Sequence, residues 1–383
     1  MLKIEKLIPG GQALATDDTG KKIFLWNALP GEIIADYQIT KNKSHYAEAI
    51  ATDVHTLSVH RIDAKDECFL ATSPWQIMDY DYELAEKQAL VIENFREHHI
   101  DLATPPIFTD GQPYHYRNKM EYSLYWDHST SEISLAFHIR GTHRKIPITK
   151  SSIERPEILE AATKIIQDLN HAHAEARSYQ SLLLRCNQKG EVSGGLFEKH
   201  QPHPAFTNLT DSIMGRTYSY SPNGFFQINL PVYELALKSI APHISTTKVL
   251  DLYSGVGTIG LSVASDRDLT LVEVDKSAYQ ELCKNATAEN THPVLAKSES
   301  VLDYVTPDTT VILDPPRAGC DATLINRLIE VAPPIIIYLS CNPATQARDV
   351  AALLSKYQID EVKIFNFFPR TPHIENLLIL RKQ

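Results

Sequence analysis

Cys341, in Ser340-Cys341-Asn342-Pro343, is a thiol placed between an apolar run over residues 335–339 and a helical pattern that starts near Thr345. Proline suits a first helical turn, and the positive end of a helix starting there favours the thiolate form of a neighbouring cysteine. A cysteine at a strand end can also be a small buried hydrophobe; the Asn342-Pro343 flank argues for the reactive reading. Two carboxylates lie near it in the sequence. Glu375 closes Phe368-Pro369-Arg370-Thr371-Pro372-His373-Ile374-Glu375 and is expected in a short loop between two strand-like runs, as a general base or as a surface carboxylate. Asp314 ends the run over residues 310–313 before Pro315-Pro316-Arg317, where it could accept a hydrogen bond from a ring N–H or cap the next segment. This set of groups suits one reaction. An uncharged uracil ring is a poor nucleophile at carbon 5 until a thiolate adds at carbon 6, and a base must afterwards remove the carbon 5 proton.

Upstream, Asp251-Leu252-Tyr253-Ser254-Gly255-Val256-Gly257-Thr258 follows a strand-like run, and Gly255, Gly257 and Gly260 match a dinucleotide-type fingerprint. Glu273 ends the next strand-like run, roughly 20 residues beyond Asp251, as expected of an acid that grips ribose hydroxyls. An NAD enzyme is the alternative. S-adenosylmethionine has no pyrophosphate, and loops that hold it usually begin with an acid at the strand end, so Asp251 together with the Asp314-Pro315-Pro316-Arg317 segment favours the sulfonium cofactor.

With these segments, Phe225-Phe226-Gln227-Ile228-Asn229, Asp314-Pro315-Pro316-Arg317-Ala318-Gly319, Ser340-Cys341-Asn342-Pro343-Ala344-Thr345 with Ala347-Arg348-Asp349, and the Phe368 to Glu375 motif, the chain resembles the RNA 5-methyluridine (uracil-C5) methyltransferase family. The likeness extends upstream to Tyr116-Arg117-Asn118-Lys119-Met120-Glu121 and to Tyr80, Glu83, Leu84 and Lys87. It implies Cys341 as nucleophile, Glu375 as proton-abstracting base, and Gln227, Tyr253, Glu273 and Asp314 as contacts to the cofactor or the base. Gly255 belongs to the cofactor loop, and Thr258 and Ser300 match neighbouring cofactor positions. Many ribosomal-RNA members of this family bind an iron–sulfur cluster through four cysteines. Here Cys68-Phe69-Leu70-Ala71-Thr72-Ser73-Pro74-Trp75-Gln76 and Lys150-Ser151-Ser152 occupy those regions, so no cluster is expected. Ser254 replaces a frequent cysteine, with little consequence where backbone groups cradle the cofactor.

The elements that position these groups follow from periodicity. Residues 1–56 read as short β runs (3–8, 22–25, 32–40 and 46–54) with turns at Pro9-Gly10-Gly11 and Pro30-Gly31, suiting an OB-like barrel or an SH3-like one. The family likeness makes it a TRAM-like RNA-holding module. A helix is expected over 80–98, antiparallel strands over 114–148, a helix over 155–172 and strand over 181–197. From residue 248 strands (249–253, 269–274, 310–313, 335–339, 362–367, 377–381) alternate with helices (259–264, 278–289, 322–331, 345–356), which implies a parallel sheet with ligands at its carboxyl ends. The expected architecture is α/β: a barrel over 1–56, a central α+β domain over 57–210, and a Rossmann-like S-adenosylmethionine methyltransferase domain over 211–383, against which the 80–98 helix packs.

A net charge of −10 over 383 residues excludes binding of nucleic acid by bulk electrostatics, so RNA affinity must be local. Lys21-Lys22, Lys41 with Lys43, Arg117 with Lys119, and Arg140-Gly141-Thr142-His143-Arg144-Lys145 are the basic clusters, each of which, taken alone, reads better as a solvated face given the acidic total. Five scattered cysteines argue against a disulfide framework, and the absence of a leader-like start or a membrane-length apolar run points to the cytoplasm; a monomer is expected. The expected function is methylation of carbon 5 of a uridine flipped out of structured RNA, with ribosomal RNA slightly favoured over transfer RNA. The alternatives are a cytosine-C5 methyltransferase and a non-catalytic RNA-binding folding factor.

Overall fold

A computed structural model describes all residues except His143 and His203. The chain forms two compact units, each assembled from separated segments. The first comprises Met1–Leu90, Gln112–Phe206 and Phe368–His373; the second comprises Val91–Gly111, Thr207–Phe367 and Ile374–Gln383.

The first unit opens with a closed five-stranded barrel in the order Leu2–Leu7, Ala13–Thr16, Lys22–Trp26, Tyr46–Thr56, Ile33–Asn42. Alternate residues point inward, among them Ile4, Ala13, Ala15, Ile23, Leu25, Ala47, Ala49 and Ala51, and the many alanines let so few strands close around one core. Behind it, a five-stranded antiparallel sheet runs in the order Val192–Glu198, Tyr179–Cys186, Lys119–Asp127, Glu132–His138, Lys145–Ile148. The helix Pro156–His171 buries Ile158, Ala162, Ile166 and Leu169, an apolar stripe of helical period. The single strand expected over 181–197 is a hairpin, turned at Asn187, whose side-chain oxygen accepts the Lys189 and Glu191 N–H groups (3.1 and 2.9 Å).

A strap, Phe368–His373, completes this unit. Lys87 and Glu83, one turn apart on the helix Tyr80–Arg96, form a fully buried ion pair (3.0 Å). Lys87 Nζ donates to the Phe368 carbonyl (3.0 Å), and the Arg370 N–H donates to both Glu83 oxygens (3.0 Å each). Tyr116 donates to the Pro369 carbonyl (2.9 Å), while Pro372 packs so closely on Gly11 that a Cβ there would lie 2.3 Å from it. The Tyr80…Glu83…Lys87 and Tyr116 motifs are therefore the sockets of this strap.

The second unit is an eight-stranded sheet in the order Thr291–Leu295, Asp268–Glu273, Lys248–Leu252, Thr309–Leu313, Ile335–Ser340, Glu375–Lys382, Tyr357–Phe365, Ile107–Phe108. The first five strands are parallel, as the βα alternation predicts; Glu375–Lys382 runs antiparallel to both its neighbours. Residues 366–374 carry no helix, so the chain returns beside Tyr357–Phe365 without the crossover a parallel pair needs. The central strands are buried throughout, which accounts for their continuous apolar runs. This is the α/β, Rossmann-like architecture with an N-terminal barrel that the sequence led one to expect.

Candidate active site

The sheet brings the predicted residues to one end. Asp314, Cys341 and Glu375 leave three adjacent strands there: Asp314 follows Thr309–Leu313, Cys341 follows Ile335–Ser340, and Glu375 opens Glu375–Lys382, whose next residue Asn376 pairs with Ser340. Glu375 is thus the first residue of a strand and buried, not the loop residue expected from the prolines ahead of it. The Asp251 loop and Glu273 leave the next two strands at the same end, where open parallel sheets hold ligands.

The cofactor loop turns back through three left-handed residues, Tyr253 (φ 63°), Gly255 (58°) and Gly257 (90°). Ser254 fastens the turn, donating its hydroxyl to the Asp251 carbonyl (2.6 Å) and its N–H to Val272 (3.0 Å). Thr258 then opens the short helix Thr258–Val263 and is buried. Asp251 accepts the Gly260 N–H (2.9 Å); a Cβ at Gly260 would lie 2.7 Å from that carboxylate, so only glycine fits. The other Asp251 oxygen is buried without a hydrogen-bond partner, and burial pushes the carboxyl up to about 8. Glu273 accepts the N–H groups of Gly255 (2.8 Å), Val274 (2.8 Å) and Asp275 (2.7 Å). A carboxylate has about four acceptor positions, so it holds the loop and keeps one for a ligand hydroxyl. Open space beyond the Gly255 Cβ position, the glycine cradle at Gly260 and this remaining acceptor fit an S-adenosyl group. The half-buried Tyr253 hydroxyl sits beside Ser298 and Cys320, whereas the Ser300 hydroxyl turns back onto Lys297 O (2.7 Å).

Around Cys341 the electrostatics oppose the expected thiolate. Burial, then Glu375, then Asp314 push the thiol up to about 11, and Arg317 pulls the other way through its charge and a hydrogen bond. The helix Pro343–Leu353 does begin two residues later, capped by Asn342, but burial first and then the two carboxyl groups push the thiol the other way. Burial lifts Asp314 to about 7 and Glu375 well above the carboxylate range, the latter raised further by Asp314 and relieved by Arg317. Arg317 is therefore a site residue, although its place in a proline-rich loop gave it no role in sequence. Tyr233, on the unanticipated helix Leu230–Ile240, has its hydroxyl raised by burial and by Asp314, Asp251 and Glu375. Gln227 is buried just ahead of that helix, beside Phe226 stacked on Tyr220 (4.0 Å between centroids), and Phe225 is exposed.

In the first unit, burial and the neighbouring Asp66 and Glu154 push the Cys68 thiol up to about 12. Asp66 accepts from the Ser152 hydroxyl (2.7 Å) and N–H (2.9 Å) and from Gln76 (2.9 Å), so hydrogen bonds join the two regions where the family resemblance would seek cluster ligands. Of the basic cluster at 140–145, Arg140 lies over the Trp26 ring (4.4 Å), and His143 is outside the described residues.

A family model described as tRNA (Uracil-5-)-methyltransferase matches residues 300–383, the part that carries Asp314, Cys341 and Glu375. An uncharacterized RNA methyltransferase of Enterococcus faecalis is 28% identical over 426 aligned positions that span 94% of this chain and 92% of its own. One from Prochlorococcus marinus is 29% identical over 341, spanning 74% and 81%. The solved structure of Pyrococcus abyssi tRNA (uracil-54, C5)-methyltransferase in complex with S-adenosyl-L-homocysteine superposes with a TM-score of 0.78 over 99% of this chain and all of that one, at 23% identity, a likeness of fold. No helix among the described residues is long and apolar enough to cross a membrane. The C-terminal part of the chain is thus similar to the tRNA (Uracil-5-)-methyltransferase family, and the chain along most of its length to RNA methyltransferases.

Proposed function

We propose that this enzyme methylates carbon 5 of a uridine extruded from a structured transfer or ribosomal RNA, through a covalent adduct on Cys341. The observation that carries the reading is the convergence of a thiol, two carboxyl groups and one guanidinium on three adjacent strand ends. The Cys341 sulfur adds to carbon 6, and the electrons of the 5,6 double bond move to the carbon 4 oxygen as an enolate. Arg317, hydrogen-bonded to Cys341, favours the thiolate against the two acids. S-adenosylmethionine, held by the Asp251 to Thr258 loop, Glu273 and Gln227, supplies the methyl group when bound. Asp314 stands to accept from the pyrimidine N–H. Glu375 then takes the carbon 5 proton, the 5,6 double bond re-forms, and the carbon 6 to sulfur bond breaks, freeing Cys341. Burial among carboxyl groups raises the proton affinity of Glu375, which suits a base acting on a carbon acid. Barrel residues 1–56 would hold the RNA.

The test separates two steps on transfer and ribosomal RNA transcripts. Cys341→Ala should give neither adduct nor product. Glu375→Gln should add and methylate, then stall, accumulating a denaturation-resistant protein–RNA complex that the double variant lacks. Product released by Cys341→Ala at the normal rate would refute the mechanism, and no trapped complex with Glu375→Gln would remove Glu375 as the base.

A further inference from the structure

The loop that carries Asp314 and Arg317 is fastened by side chains that take no part in the reaction above. Asn342 Nδ2 (2.8 Å) and the Thr345 hydroxyl (3.2 Å) both donate to the Arg317 carbonyl, and Arg348 donates to the Ala318 carbonyl (3.1 Å). At the centre is Asp349, buried on the helix Pro343–Leu353. Its Oδ2 accepts the Cys320 N–H (2.9 Å) and the Tyr338 hydroxyl (2.8 Å), so one oxygen ties the end of the loop to the strand that leads into Cys341. Its Oδ1 accepts from Arg348 (2.7 Å), a half-exposed pair that contributes little by itself. The loop lies so close that a Cβ at Gly319, at φ 79°, would stand 2.7 Å from Asp349 Oδ2 and 2.6 Å from Arg348 Nη2. Cys320 also points its thiol at Tyr338 (3.7 Å) and neighbours Tyr253 of the cofactor loop.

We propose that Asp349 is the positioning residue of this active site: as a buried double acceptor it clamps the Cys320 backbone to Tyr338 and so holds Arg317 against Cys341. The inference rests on the reading of Arg317 and Cys341 given above. A clamp of this kind acts by hydrogen-bond acceptance, not by charge, because both bonds to Oδ2 come from neutral donors. Asp349→Asn keeps an acceptor oxygen for them; Asp349→Ala removes it.

Three measurements test this. In methyl transfer, Asp349→Ala should lower kcat at least tenfold with KM for RNA and for S-adenosylmethionine within threefold of wild type, and Asp349→Asn should restore kcat to within threefold. In an Arg317→Ala background Asp349→Ala should cost nothing further, since coupled residues are non-additive where a general loss of stability would add. Amide hydrogen exchange of the protein alone should quicken across residues 314–320 in Asp349→Ala and return in Asp349→Asn, a readout that does not depend on the reaction assigned to the enzyme. Unchanged exchange in that loop, equal losses in the two Asp349 variants, or additive losses with Arg317→Ala would each overturn the proposal. Wild-type protein that methylates no RNA would refute the functional reading instead, and the exchange experiment would still decide the clamp.

Discussion

Asp251 is a carboxyl group closed off from water, with one oxygen on the Gly260 N–H and the other without a hydrogen-bond partner. Ionising it there strands a charge in a poorly solvated place, so the native protein holds the proton up to about 8, against 3.8 for the ordinary side chain. The native state therefore binds more protons than the unfolded chain between those values. The stability that this proton contributes is complete below the lower value and is lost as pH rises through the upper one. Asp251→Asn keeps an acceptor for Gly260 and removes the titration. Melting curves from about pH 5 to about pH 9 should show wild type losing ground to the variant as pH rises; parallel curves would mean that Asp251 is already ionised in the folded protein. At this scale the sequence was most legible where few side chains could do the chemistry, as with Cys341, Glu375 and Asp314. It was least legible where direction matters. Spacing does not tell which way a loop arginine points, so Arg317 stood unread inside a motif already quoted, and the charge state of Cys341 depended on neighbours that only the assembled sheet supplies.

Gly260 joins the first helix of the cofactor loop to the strand beneath it. Its missing side chain is what lets that helix approach Asp251, and a methyl group there would also meet Leu271 at 3.1 Å. Gly260→Ala should push helix and strand apart at a cost of about 1–3 kcal/mol and weaken S-adenosylhomocysteine at least tenfold in a calorimetric titration; unchanged affinity would place the cofactor away from this turn. Three elements that escaped the sequence reading each have a physical reason. The helix Leu230–Ile240 is short and mostly apolar, and its wet face is carried by few residues, Pro231, Glu234 and Lys238, so its period is faint in the sequence. Thr291–Leu295 is an edge strand and carries Pro293, which a central strand would exclude. Ala13–Thr16 is four residues long, too short to alternate visibly after Gly10-Gly11. The more strongly amphipathic helices Pro156–His171 and Ala322–Val331, by contrast, were readable to within a few residues of their ends.

Across the whole molecule, affinity for RNA must come from particular places, because 47 acidic residues outnumber 37 basic ones. Removing the barrel is a poor test of its share. Trp75 donates its indole N–H to Gly11 (3.0 Å), and Arg61 is paired with the buried Glu32 (2.6 Å), so a deletion would open the rest of the first unit. Lys22→Glu with Lys43→Glu, both exposed on the barrel, should weaken RNA binding several-fold and lower its salt slope by about one per lysine, leaving S-adenosylhomocysteine affinity unchanged. An unaltered RNA affinity would assign the barrel a structural role. The strap at Phe368–His373 bears on how the molecule comes to exist. Proteins are made from the amino end, and domains usually fold in that order as they emerge. Here the first unit cannot close until residues 368–373 have been synthesised, because Glu83 and Lys87 wait for the backbone of residues 368 and 370. A chain that stops before Phe368 therefore carries an N-terminal unit with a charged socket and no plug, because the Phe368 carbonyl and the Arg370 N–H that meet Lys87 and Glu83 are missing.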